Sequence, residues 1–114
     1  MSYAANFCKN LDTYMESEEI TTNSLATKSG ISQKTIWVVK AGKTKPTVTT
    51  AEAVSLALGL DARIMMSASL TSEQCARSSR LGRLLDKMLT LSPEQLKSIQ
   101  TVVESMTTET STNS

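Results

Sequence analysis

Residues 28–45 carry five lysines, Lys28, Lys34, Lys40, Lys43 and Lys45, and no acid. Cations without counter-charges suit a polyanion, because each one that meets a phosphate releases condensed counterions. The surrounding stretch, TTNSLATKSGISQKTIWVVKAGKTKPT over residues 21–47, reads as two short capped helices on either side of Gly30. Such a pair can seat its second helix in a DNA groove while nearby lysines meet the phosphates. The chemistry on offer is recognition of a nucleic acid rather than a reaction.

Nothing elsewhere in the chain supplies a reaction centre. There is no histidine, which excludes imidazole acid/base chemistry and His-containing zinc sites. Cys8 and Cys75 are far apart in sequence and read as reduced structural or surface thiols, since no secretory segment accompanies them. No catalytic residue, metal or cofactor is therefore expected. At 114 residues the chain has room for one modest domain and an appendage. Its formal charge is only +1, so the distribution matters more than the total; Asp12, Glu16, Glu18 and Glu19 make the stretch before the lysines acidic. The start, MSYAANFCKN, lacks the apolar core of a signal peptide, and no apolar run reaches membrane-spanning length. A cytoplasmic location and no membrane partner are expected.

The elements that would position the lysines follow from helical spacing. Ala4, Phe7, Cys8, Leu11, Tyr14 and Met15 form the inward stripe of a first helix over residues 3–16. A second runs from about Thr22 to Ser29, capped by Thr21 or Thr22, with Leu25 and Ala26 inward. Gly30 permits the left-handed turn, and Ile31 drops into the core. Ser32 caps a third helix that extends to about Ala41 and stops at Gly42; Ile36 and Val39 face inward and leave Gln33, Lys34, Trp37, Val38 and Lys40 on outer or flanking faces. Pro46 keeps residues 43–47 in a loop. A fourth helix starts at Thr49 or Thr50, holds Ala53, Val54, Leu56 and Ala57, and ends at Gly59 with Leu60 packing back.

Residues 61–70 read as a connector into which Ile64, Met65 and Met66 could add a short strand or an apolar insertion. Beyond it Leu81, Leu84, Leu85 and Met88 form one stripe, and Leu96, Ile99, Val102, Val103 and Met106 another. Ser92, Pro93 and Gln95 compose a capping-box start for the last helix. The expected fold is all-α: a four-helix domain over 1–60, a connector over 61–80, a helical hairpin over 81–106 and a disordered tail over 107–114.

Leu25, Ala26, Gly30, Ile31, Ser32, Thr35, Ile36, Gly42 and Pro46, followed by Ala53, Ala57, Leu58, Gly59 and Leu60, are spaced as in the helix-turn-helix domain of the lambda-type phage repressor and Cro family. The resemblance covers about residues 4–60. It implies a bacterial or phage transcriptional regulator, usually a repressor, that binds a palindromic double-stranded DNA operator as a homodimer, in association with the nucleoid of the host cell. Carried over position by position, it places Gln33 and Lys34 at base edges, where Gln bonds adenine and Lys bonds guanine. Thr22, Ser32, Lys40, Lys43, Thr44 and Lys45 would hold the DNA backbone. Trp37 and Val38 stand where the family commonly has polar residues, which suggests contact with thymine methyls; Trp37 has closure of the core as its alternative.

Two departures stand out. The family usually has glutamine at the Thr22 position. Many members also pair an arginine of the first helix with an acid at the Lys40 position, whereas here Tyr14 or Met15 faces a lysine, so that ion pair is expected to be missing. The stripes of residues 81–106 need cover, and Leu81, Leu84, Leu85, Met88, Leu96, Ile99, Val102, Val103 and Met106 are expected to form a dimer interface. In the rival readings the same segment binds a toxin, as in an antitoxin, or an antirepressor protein, or the fold serves as an adaptor that binds no DNA.

Overall fold

Helix starts in this protein are set by side chains that accept the free amides of the first turn. Ser2, Thr21, Ser32, Thr47, Asp61 and Thr71 each do so, from Ala5, Ser24, Thr35, Thr50, Ile64 and Gln74 respectively. The computed structural model describes residues 2–112, and the chain is all-α. Its helices are α1 (Tyr3–Ser17), α2 (Thr22–Ser29), α3 (Gln33–Lys40), α4 (Val48–Leu58), α5 (Ala62–Ser67), α6 (Ser72–Ala76), α7 (Ser78–Met88) and α8 (Pro93–Thr112). Among the described residues no helix is long and apolar enough to cross a membrane. The chain divides into two compact units, Met1–Gly82 and Arg83–Ser114.

The first unit is built on α1, whose Phe7, Leu11 and Met15 are buried together with Leu25, Ile36, Val39, Val54, Met65 and Cys75. The unit continues well past Leu60, and this corrects the expected boundary. Residues 61–80 are not a connector: α5 and α6 pack on α1, and the apolar insertion expected at Ile64, Met65 and Met66 is helical. The cause is the polar side of α1. Asn10 is fully buried. Its Nδ2 donates to the carbonyls of Met65 and Ala68, both at 2.8 Å, and its Oδ1 accepts the Leu70 amide at 2.8 Å. Asn6, one turn earlier, donates to the Met66 carbonyl at 3.1 Å, and Lys9 to the Leu70 carbonyl at 2.6 Å. A buried amide is tolerated only when its partners are present, so α5 and the following turn are required to complete α1.

A second clasp closes the unit at Gly82. Asp61 caps α5, its backbone N–H donates to Ser78 Oγ at 3.0 Å, and the Ser79 hydroxyl donates to the Gly59 carbonyl. Arg63 binds the Asp61 carboxylate at 2.9 Å and donates to the Gly82 carbonyl at 3.2 Å. That guanidinium holds the Asp61 carboxyl below its ordinary value of 3.8. A side chain at position 82 would force Asp61 to shift, since a Cβ there would lie 1.9 Å from Asp61 Oδ2.

Smaller differences from expectation lie in α4 and at the C-terminal end. α4 starts earlier than Thr49, because Thr47 is its cap. Ala51, Val54 and Ser55 are its buried residues, and Leu56 is left outside, 81% exposed. In the second unit Gln95 and Ser92 form the expected reciprocal cap, with Gln95 N–H donating to Ser92 Oγ at 3.2 Å and Ser92 N–H to Gln95 Oε1 at 3.0 Å. The stretch read as a disordered tail over 107–114 is helical as far as Thr112. Asn113 and Ser114 lie outside the described residues.

Candidate nucleic-acid interface

The position of α3 is fixed by its neighbours in the chain. Gly30 adopts φ 75°, a left-handed conformation that costs other residues free energy, and its N–H closes α2 on the Ala26 carbonyl at 3.0 Å. Ser32 then caps α3: its Oγ accepts the Thr35 amide at 3.1 Å and donates to Thr35 Oγ1 at 2.9 Å. Its hydroxyl is thereby occupied within the helix rather than held out for a phosphate. Ile36 and Val39 are buried as expected. With those positions inward, helical geometry sends Gln33, Lys34 and Trp37 outward together, and all three are exposed. Val38 is half-buried at the edge of this face.

Trp37 does not close the core. Its indole is 52% exposed, and Lys43 Nζ lies 4.6 Å from the ring centroid. The attraction of an ammonium for the negative face of the ring draws these two residues together from different elements. Gln33 likewise has a partner, because its Nε2 donates to Asn23 Oδ1 at 2.9 Å. Asn23 escaped the sequence reading. The available signal was an amide in the first turn of the helix preceding the turn, within reach of another amide in the first turn of the next. The bond fixes the orientation of the Gln33 side chain and leaves its Oε1 and second N–H to address a base edge.

The loop after α3 is held at several points. The N–H groups of Gly42 and Lys43 donate to the carbonyls of Val39 and Val38, each at 2.9 Å. The Cys8 thiol donates to the Thr44 carbonyl at 3.7 Å, and burial pushes that thiol above its ordinary value of 9.0, so it stays protonated. Lys43, Thr44 and Lys45 remain exposed on a loop thus pinned to α1 and α3. Thr22, the first residue of α2, is half-buried behind the cap that Thr21 supplies.

Lys40 corrects the expectation of a missing ion pair. It pairs with Asp12 at 3.0 Å and Glu16 at 2.6 Å, so the ion pair expected to be missing between the first and third helices exists with its charges reversed. Asp12 and Glu16 are one turn apart on α1 and both reach the end of α3. Their hydrogen bonds, Glu16 first, raise Lys40 above its ordinary 10.5. Lys40 is therefore turned towards α1. Lys28, Lys34, Lys43 and Lys45 are exposed and form no ion pair among the described residues.

The residues expected at a dimer interface lie mostly in the second unit, and a single chain does not bury them. Leu84 is 51% exposed, Val102 55% and Met106 57%, while Leu81, Met88, Leu96, Ile99 and Val103 are also exposed and Leu85 is half-buried. Most of these stripe residues thus keep a third or more of their surface exposed. No family model matches the chain, and no curated protein or solved structure matches it.

Proposed function

We propose that this protein is a sequence-specific DNA-binding regulator, a phage-type repressor, that reads duplex DNA with α3 and binds its palindromic site as a homodimer. The observation that carries the reading is the outward face of α3, where Gln33 and Lys34 stand exposed next to unpaired lysines and a pinned loop. In this reading α2, the turn at Gly30 and α3 act as a helix-turn-helix, Gln33 and Lys34 choose bases, and Trp37 and Val38 meet thymine methyls. Lys43, Thr44 and Lys45 hold phosphates and set register without choosing sequence, with Thr22 at the start of α2. Lys40 is left out of this set, because Asp12 and Glu16 already engage it. Homodimerisation is supported by the apolar stripes that one chain leaves uncovered, and repression by blocking transcription needs no reaction and no cofactor.

Selection of bound duplexes from a random pool, followed by titration of two variants, tests the proposal. Gln33→Ala is expected to lose about 1 to 3 kcal/mol on the selected duplex and little on random DNA, whereas Lys43→Ala weakens both alike. Unchanged discrimination in Gln33→Ala would place a different face on the bases. If no duplex is selected at all, the adaptor reading replaces this one. A full-length chain that sediments as a monomer would transfer the stripes of α7 and α8 to a toxin or antirepressor protein.

A further inference from the structure

A cavity of about 580 Å³ opens between the N-terminal half of α1 and the turn that follows α3. The charged residues that line it are Lys9, Lys40, Lys43, Lys45 and Asp12. Asp12 is matched by Lys40 at 3.0 Å, so its charge is already met. Lys9, Lys43 and Lys45 are left over; all three are exposed, and none forms an ion pair among the described residues. The Lys9 ammonium donates to the Leu70 carbonyl at 2.6 Å, a neutral partner that leaves its charge uncompensated. The buried Cys8 lines the cavity with its thiol committed to the Thr44 carbonyl, and the small side chains of Ala4 and Ala5 leave the wall open.

We propose that this cavity binds a small polyphosphate anion, of the pyrophosphate class, which displaces DNA by occupying Lys43 and Lys45. The displacement rests on the DNA-binding function proposed above, whereas the cavity and its cations do not. Sites for small molecules measure about 300 to 1,000 Å³, and this one lies within that range. A concave surface lined by charge of one sign focuses the field and concentrates counter-ions inside it. Three uncompensated ammonium groups therefore favour a ligand with several negative charges over a monoanion. Lysine suits phosphate as a compact point charge that needs no fixed orientation. Duplex DNA is a stiff rod that can touch the rim at Lys43 and Lys45 but is too thick to enter the cavity, whereas a small anion can reach Lys9 as well. Because the two ligands share Lys43 and Lys45, each lowers the affinity of the other by the same factor. Such an anion would release the operator without any cleavage of the chain.

The test titrates the full-length chain with sodium pyrophosphate, sodium chloride being adjusted to hold ionic strength constant, and follows backbone amides by NMR. The amides of Ala4, Ala5, Cys8 and residues 41–45 are expected to shift together and to saturate below about 1 mM, while those of Lys28 and Lys34 stay in place. Shifts that do not saturate, or that spread equally to Lys28 and Lys34, overturn the pocket and leave α3 as the reader. Ala5→Glu sets a carboxylate in the wall at an exposed position of the first turn of α1, which holds no acid and where an acid suits the helix. It should weaken pyrophosphate binding, as should Lys9→Gln, whereas the neutral Ala5→Gln keeps the wild-type affinity. Wild-type affinity in both A5E and K9Q also overturns the pocket. In the second arm, pyrophosphate at ten times its dissociation constant should weaken binding of the selected duplex about tenfold per chain, beyond the effect of sodium chloride at the same ionic strength. Saturation of the pocket with DNA affinity unchanged overturns the displacement. Saturation by pyrophosphate in a protein that binds no duplex supports the pocket and sinks the DNA-binding reading, so the two failures are told apart.

Discussion

In the first unit Phe7, Leu11, Leu25 and Met65 are fully buried, whereas in the second Leu84, Val102 and Met106 keep half or more of their surface exposed. Both regions carry apolar residues at helical spacing, so the contrast does not come from composition. It comes from whether another surface of the same chain is available to cover the stripe. In the first unit α1 meets α3, α5 and α6, and the polar atoms of Asn10 are matched by carbonyls and an amide from the α5 end. Most residues of the α7 and α8 stripes stay exposed instead. A stripe specifies that something is to be buried, and leaves open against what.

The strongest way to break this comparison is to cut the chain after Gly82. Residues 1–82 should remain folded and monomeric by sedimentation, and their affinity for a duplex with two half-sites should drop by about 10²- to 10⁴-fold, because joining two reading units makes the second contact intramolecular. Cutting after Leu70 should instead unfold the protein, since it removes the buried Cys75 and Ser78. A stable fragment ending at Leu70 would return the boundary to Leu60.

Next in size are single truncations of apolar side chains. Leu25→Ala should cost about 2 to 5 kcal/mol in denaturant unfolding, the range for a fully buried leucine. Leu84→Ala should change the stability of the dilute monomer by less than about 0.5 kcal/mol and show its effect in self-association. Equal costs for the two would mean that the second unit has a core of its own. Gly82→Ala should cost about 1 to 3 kcal/mol through overpacking against Asp61. In an Asp61→Ala background the same change should cost less, because the clashing carboxylate is gone; additive costs would place the strain elsewhere.

The smallest effects are on pH dependence, and both belong to the first unit. Lys40 is raised above 10.5, so its pairing contributes stability fully below that value and loses it as pH rises through the higher, folded-state value. Asp61 is held below 3.8, so its contribution is present above that value and is lost as pH falls through the lower, folded-state one. Lys40→Met should flatten the alkaline limb and Asp61→Asn the acid limb, and for the exposed Lys40 pairs about 0.2 to 1 kcal/mol is at stake. Melting curves of the 1–82 fragment should retain both limbs.

Much of the first sixty residues was legible because caps and breakers act locally. Thr21, Gly30, Ser32 and Gly59 mark their boundaries with their own side chains or their own freedom at positive φ. Thr47, Thr49 and Thr50 offer similar caps for α4, and only the folded structure shows that Thr47 is the one used. The lysines were visible as a cluster, but the sequence did not separate Lys40, engaged by α1, from Lys43, which stands over Trp37. Asn23 was overlooked for the same reason: its partner, Gln33, lies in another helix.

The sequence by itself determined the all-α class, the turn at Gly30, the outward placement of Gln33 and Lys34, and the two C-terminal apolar stripes, because period and capping are properties of short segments. Tertiary structure alone decided that α5 and α6 complete the first unit, that Lys40 faces Asp12 and Glu16, and that the unit closes where Gly82 meets Asp61. Each of these depends on residues distant in the chain being brought within contact distance. Asn10 can be satisfied only once the end of α5 has folded against α1, and no local pattern encodes that meeting.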